Sequence, residues 1–226
     1  MDKQRIINYI DVGCVNPFIN PWKKNKQYLK CVLGCEPRYD KNEKSFCSNF
    51  SKKINVIEYD CAIFDREGIF SFYVCRKGQC SSLFQPDLHK YIYKSGTRST
   101  NKEKNRRMEV TSITTVKCRR LDSIIDELNI NFDFIKIDTQ GADHQVIKSL
   151  GKYLDDIVGI HTELNFQQFY KKITLFGETN EFLKENGFYL AKTLDRENPY
   201  WNNFVYLRKK TSKKQQLRLI KKIYKI

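Results

Sequence analysis

The strongest constraint in this sequence is the alternation of short apolar runs with longer amphipathic stretches. Arg5 to Val12 (RIINYIDV), Tyr28 to Cys35 (YLKCVLGC), Asn55 to Ala62 (NVIEYDCA), Asp133 to Ile137 (DFIKI) and Ile157 to Leu164 (IVGIHTEL) are too short for core helices and read as buried strands. Helical spacing appears at Leu121 to Leu128, Ala142 to Tyr153 and Phe176 to Asn186, with Gly187 as a C-terminal stop after the last. Strands separated by helical segments imply βαβ units and a mainly parallel sheet. The end of the chain differs. Phe188 to Leu194 and Phe204 to Arg208 are joined by DRENPYWNN, which is too short for a crossover helix, so these two strands should pair antiparallel. The expected architecture is one α/β domain over residues 1–208, with a mainly parallel sheet closed by an antiparallel C-terminal strand pair and helices on both faces. Residues 209–226 are set apart as a basic amphipathic tail.

Composition supports a folded domain: 40% of the 226 residues are hydrophobic and 13% aromatic. The net charge of +15 is unevenly placed. From Arg208 onward there are nine Lys or Arg and no acid; the rest of the chain holds 32 basic against 26 acidic residues. Basicity confined to a tail is weak support for a nucleic-acid face, so no specific nucleic-acid partner is expected. In TSKKQQLRLIKKIYKI, Leu217, Ile220, Ile223 and Tyr224 recur at helical spacing among cations. Such a helix can lie on an anionic membrane, pack on its own domain or a dimer partner, or fray.

The eight cysteines form no C-x-x-C pair, and several sit in strand-like runs, so free buried thiols are expected. With only His89, His144 and His161 nearby, no metal cluster is expected. There is no apolar leader at the N-terminus and no run of membrane-span length. The expected location is cytoplasmic, with peripheral contact at the inner membrane face as the alternative that the membrane reading of the tail would bring. The polar, basic segment Lys94 to Arg107 reads as a solvated loop, or as a flap beside a binding site.

Two segments carry chemistry. The first is IDVG, with Asp11 and Gly13 where a strand turns, followed by Glu36 at the end of the next strand. Gly13 permits a tight turn and close approach of a ligand, and an acid at Glu36 is placed to accept hydrogen bonds from two ribose hydroxyls. The G-x-G-x-x-G that cradles a pyrophosphate is absent, since CVNPFINPW follows Gly13. A nucleoside ligand without phosphate, such as S-adenosylmethionine, needs no such cradle, and its cationic sulfonium suits Asp11. Asp60, near the close of the third run, joins Asp11, Gly13 and Glu36 on the cofactor side.

The second segment is DFIKIDTQGADHQVIKSL, where a buried strand delivers Lys136 and Asp138 to its carboxyl end, Gln140 and Gly141 turn the chain, and Asp143 opens a helix. Ligands of open α/β sheets bind at this edge. Burial of Lys136 requires a carboxylate partner; Asp143 is equally explained by the electrostatics of a helix N-terminus. Lys136, Gln140 and Asp143 are the substrate-side candidates. Asp138, with His161 and Glu163 two apart on the fifth strand, are the candidate catalytic residues, since a hydroxyl acceptor benefits from a general base; a structural histidine is an equal reading of His161.

DFIKIDTQGAD, preceded by TTVKCRRLDSII and followed by GIHTELNFQQFY, resembles the FkbM-type methyltransferase family. IDVGC with Trp22, GCEP, AIFDREGIFSFYV with SSLFQP, and GFYLAKTL extend the resemblance over roughly residues 5 to 208. Two departures are the missing second glycine near Asn16 and Pro17, and Asp143 in place of the usual glutamate. The resemblance implies a class I methyltransferase (Rossmann-like) fold, which the antiparallel closing strand also favours. It implies S-adenosylmethionine as donor, and a hydroxyl acceptor on a sugar, glycan precursor or other small metabolite. An RNA methyltransferase and a non-catalytic nucleoside-binding relic are the competing readings.

Overall fold

The computed structural model describes residues 5–14, 21–37, 53–87, 106–194 and 199–226. Asn16 and Pro17, Cys47, His89 and nearly all of the expected flap from Lys94 to Arg107 lie outside those residues. Ten strands are described: β1 (Ile7–Val12), β2 (Leu29–Cys35), β3 (Asn55–Tyr59), β4 (Ala62–Ile63), β5 (Gly68–Cys75), β6 (Val110–Arg119), β7 (Phe134–Ile137), β8 (Gly159–Asn165), β9 (Phe188–Thr193) and β10 (Trp201–Arg208). The described α-helices are α1 (Leu121–Leu128), α2 (Asp143–Lys148), α3 (Phe176–Glu185) and α4 (Lys214–Tyr224).

Seven strands form one sheet in the order β3-β2-β1-β7-β8-β10-β9. The pairs from β3 through β8 are all parallel, and β10 runs antiparallel to both β8 and β9. The expected mixed sheet is thus present, with one reversed strand near its edge. One face carries Ile10, Val12, Ile135, Ile137, Ile160 and Phe204 against α1, α2 and α3. The other carries Tyr9, Phe134, Val205 and Leu207 against Trp22 and α4. Strand order reverses between β1 and β7, which opens a crevice at their carboxyl ends.

Local structure departs from expectation in three places. The third apolar run stops at Tyr59, and Ala62–Ile63 leaves the main sheet to pair with β6. There it joins a second, three-stranded sheet in the order β4-β6-β5 that sequence periodicity does not announce. The helix expected from Ala142 to Tyr153 ends at Lys148 and continues as a 3-10 turn over Gly151–Asp156. Gly151 has φ +49°, and a Cβ there would press on the Asp122 carboxylate, so glycine eases the turn that ends the helix.

The tail forms α4 and packs on its own domain. Ile220, Ile223 and Tyr224 are buried in the cluster around Trp22 and Phe134. The buried part of the apolar stripe is therefore covered by protein, and what α4 exposes is Lys214, Gln215, Arg218 and Lys222. Among the described residues, no helix is long and apolar enough to cross a membrane. The seven described cysteines are free thiols, and all except Cys80 are buried.

Candidate active site

The crevice at the β1/β7 switch widens into a cavity of about 470 Å³. The carboxyl ends of the parallel strands supply Gly13, Glu36, Asp138, Thr139, Gln140, Glu163 and Asn165. The small sheet covers them with Ala62, Ile63 and Phe72, and Phe169, Tyr170 and Trp201 complete an aromatic wall. This size suits a small-molecule site, mostly apolar with a few convergent polar groups.

At its base is a row of ionisable groups fixed by strand register. Asp11 pairs with Lys136 across β1 and β7, and Lys136 pairs with His161 across β7 and β8. The Lys136 ammonium lies 3.3 Å from Asp11, 3.6 Å from Asp138 and 3.3 Å from the Gly13 carbonyl. Burial pulls the lysine pKa down, but the Asp11 and Asp138 carboxylates outweigh it and hold the pKa above its usual value. One cation between two carboxylates leaves this part of the site with a net negative charge.

Gly13 has φ +79°, and a Cβ on it would run into the Asp138 carbonyl oxygen. The glycine therefore serves first to let the β1 turn close onto the end of β7. The turn after β7 is held with equal care. Gln140 adopts φ +54°, uncommon for a residue with a side chain. Its carbonyl accepts the Ser82 hydroxyl at 2.8 Å, its amide Nε2 donates to Asp138 Oδ1 at 2.9 Å, and the Tyr170 hydroxyl lies 3.0 Å from its Oε1. Asp138 is thus oriented from two sides, by Lys136 and by Gln140.

The expected site residues separate into two groups. Gly13, Glu36, Lys136, Asp138, Gln140 and Glu163 meet at the cavity wall, with Asp11 directly beneath them. His161, Asp143 and Asp60 do not. His161 shares a sheet face with Glu163, as expected, but α4 seals it from the cavity. Tyr224 accepts a hydrogen bond from Trp22 Nε1 at 3.0 Å and meets His161 Nδ1 at 3.0 Å, while His161 Nε2 lies 3.1 Å from Asn203 Oδ1. With both ring nitrogens engaged and the side chain buried, His161 does not face the cavity, against the direct base role expected of it. Asp143 lies under the β7 turn, accepting the Gly141 N–H at 3.2 Å, with the Thr162 hydroxyl 3.4 Å away. Burial, with the Asp138 charge nearby, pushes its pKa up to about 7 against the backbone hydrogen bonds that lower it. It organises the turn and does not face an acceptor. Asp60 is exposed in the link from β3 to β4, away from the cavity wall, because the strand ends before it.

Sequence reasoning passed over Trp201, Tyr170 and Asn165. Trp201 opens β10, and the first residue of a reversed strand sits at the same edge as the last residues of its parallel neighbours: Trp201 is in register with Asn165. That signal was available in the antiparallel assignment, had the strand been started three residues earlier.

A family model described as the methyltransferase FkbM domain matches residues 12–190. The chain belongs to the FkbM methyltransferase family. Its fold is similar to that of the crystal structure of methyltransferase FkbM from Methylobacillus flagellatus KT, with a TM-score of 0.52 at 12% identity. That superposition covers 92% of this chain and 44% of the other, so this FkbM chain spans less than half the length of that relative. Among curated proteins, none matches the sequence. The family match ends within β9, so β10 and α4, which close the sheet and cover the base of the site, lie beyond it.

Proposed function

We propose that this FkbM-family chain is an S-adenosylmethionine-dependent O-methyltransferase acting on a hydroxyl of a sugar, glycan precursor or other small metabolite. The observation that carries this reading is that the carboxylates of Asp138 and Glu163 line the same cavity as Gly13 and Glu36, the residues read as the donor side. The residues fit the donor. Glu36 stands at the end of β2, where a ribose is held, and Ala62, Ile63 and Phe72 offer an apolar slot for a purine. Lys136 is neutralised by its two carboxylates, so it does not repel a cation. When bound, S-adenosylmethionine supplies an electrophilic methyl group on a cationic sulfur.

The chain's own contribution is positioning and proton removal. Aligning an acceptor oxygen with the methyl carbon can lower the barrier by up to about 7–11 kcal/mol. Asp138, fixed by Gln140 and Lys136, and Glu163 are the groups placed to take the hydroxyl proton, which contributes roughly 10²–10⁴ in rate. Phe169, Tyr170 and Trp201 supply flat faces against which the C–H side of a sugar ring can pack, and Gln140 and Asn165 supply polar groups for its hydroxyls.

The test is calorimetric titration with S-adenosylmethionine, followed by transfer of a labelled methyl group to a panel of hydroxylated compounds and their deoxy analogues. Donor binding with transfer to hydroxyls only is the expected result. Failure to bind the donor would leave a non-catalytic relic, and label appearing only in RNA would replace the acceptor class.

A further inference from the structure

Part of the cavity wall carries positive charge with no ion-pair partner among the described residues. Lys77 follows β5 and Arg107 lies two residues before Glu109, which leads into β6, so the two flank the same end of the small sheet. The Lys77 N–H donates to the Arg107 carbonyl at 3.0 Å, and both residues line the cavity. Other arginines of this region are engaged: Arg76 and Arg106 hold Glu109 at 3.1 and 2.8 Å, Arg119 holds Glu127, and Arg120 holds Asp122. Among the described residues, neither Lys77 nor Arg107 makes an ion pair or a side-chain hydrogen bond. Two cations on one cavity wall, brought together by that backbone hydrogen bond, can bind an oxyanion between them. The arginine fork matches two oxygens of a carboxylate or phosphate, and lysine adds a point charge.

Their position relative to the carboxylates matters as much as their charge. Burial pushes the Cys80 thiol pKa up, Lys77 and Arg107 pull it down, and Glu163 pushes it up. Lys77, Arg107, Cys80 and Glu163 all line the same cavity, so the two cations and the Glu163 carboxylate act on one enclosed space. We propose that the acceptor carries an oxyanion, phosphate or carboxylate, that Lys77 and Arg107 grip so as to hold its hydroxyl toward Glu163 and Asp138. This rests on the methyltransferase reading of the same cavity and narrows its substrate class to anionic hydroxyl compounds.

The experiment uses the full chain and the double variant Lys77→Gln/Arg107→Gln. Each is titrated calorimetrically with glucose 6-phosphate, glucuronate, inorganic phosphate, neutral glucose and S-adenosylmethionine. In the wild type at least one anionic probe should bind at least tenfold more tightly than glucose, with affinity falling as salt rises. The sugar phosphate and the sugar acid tell the two anion sources apart. The double variant should lose that advantage, keep its S-adenosylmethionine affinity and unfold at the wild-type temperature, since both side chains are exposed. The conservative exchange Lys77→Arg should retain anion binding.

The proposal is overturned if all anionic probes bind no better than glucose, or if the double variant keeps them. It is also overturned if donor affinity falls together with anion affinity, which would assign the two cations to the donor's own carboxylate. If the wild type holds an anionic probe through these residues yet fails to bind the donor, the oxyanion grip stands and the methyltransferase reading is what falls.

Discussion

Lys136 and Asp11 face each other across β1 and β7 at 3.3 Å, both almost wholly removed from solvent, with side chains 3% and 0% exposed. Removing one member of a buried pair strands the other charge in a medium that solvates it poorly, at a cost of about 3–5 kcal/mol. Lys136→Met should destabilise the fold by that order in denaturant titration. A loss under about 1 kcal/mol would show that the pair is well hydrated and not a fixed part of the site.

Glu36 should matter to donor binding and little to folding, because it lines the cavity at the end of a strand and is not part of the core. A hydrogen bond to a charged group is worth roughly 1.5–3 kcal/mol, so Glu36→Ala should weaken S-adenosylmethionine binding at least tenfold by calorimetry. An unchanged dissociation constant removes Glu36 from the ribose site.

Asp138→Asn keeps the size of the side chain and one acceptor oxygen for Gln140, and removes the charge of the proposed base. Turnover should fall by about 10²-fold or more while donor affinity changes little. Equal losses in both would place Asp138 on the cofactor.

Asp143 makes stability depend on pH in a defined direction. Its folded pKa of about 7 lies above its ordinary value of 3.8, so between those two points the folded protein holds a proton that the unfolded chain has released. The stabilisation is complete below the lower value and is lost as pH rises through about 7. Asp143→Asn is neutral throughout. The difference in melting temperature between wild type and variant should therefore shift against the wild type as pH rises across this window. Parallel melting curves at every pH would show that Asp143 is not buried as described.

A chain stopped at Lys210 loses the buried Ile220, Ile223 and Tyr224. Each fully buried large side chain contributes about 1.5–3 kcal/mol, so the shortened form should unfold at clearly lower urea. Tyr224→Phe should reproduce part of the loss by leaving Trp22 Nε1 and His161 Nδ1 without their partner. Equal urea midpoints for the full and shortened chains would show that α4 does not pack on the domain.

The main sheet was legible because its inner parallel strands, β1, β2, β7 and β8, are buried on both faces and read as largely apolar runs. The small sheet was not. β5 and β6 carry Ile69 and Ile113 on their outer side, 68% and 63% exposed, which blurs the period-2 alternation that marks a half-buried strand. The helix after β7 was drawn too long because Gly151 reads as a tolerated interruption until its left-handed φ and the nearby Asp122 are known. His161 looked catalytic because strand spacing correctly places it on the face of Glu163. What removes it from the cavity is α4, folded back from 63 positions further along, and no local pattern reports such a contact.

The Trp22–Tyr224 hydrogen bond joins residues 202 positions apart and covers the underside of the Asp11–Lys136–His161 row. Synthesis runs from N- to C-terminus, so a nascent chain already displaying β1, β2 and Trp22 waits for nearly all the remaining residues before that underside is shielded. Such remote closure raises contact order and slows the final step of folding. Until Tyr224 is made, the aromatic cluster of Tyr9, Trp22 and Phe134 lacks the cover that the folded chain gives it, and exposed apolar surface of that kind favours association during folding.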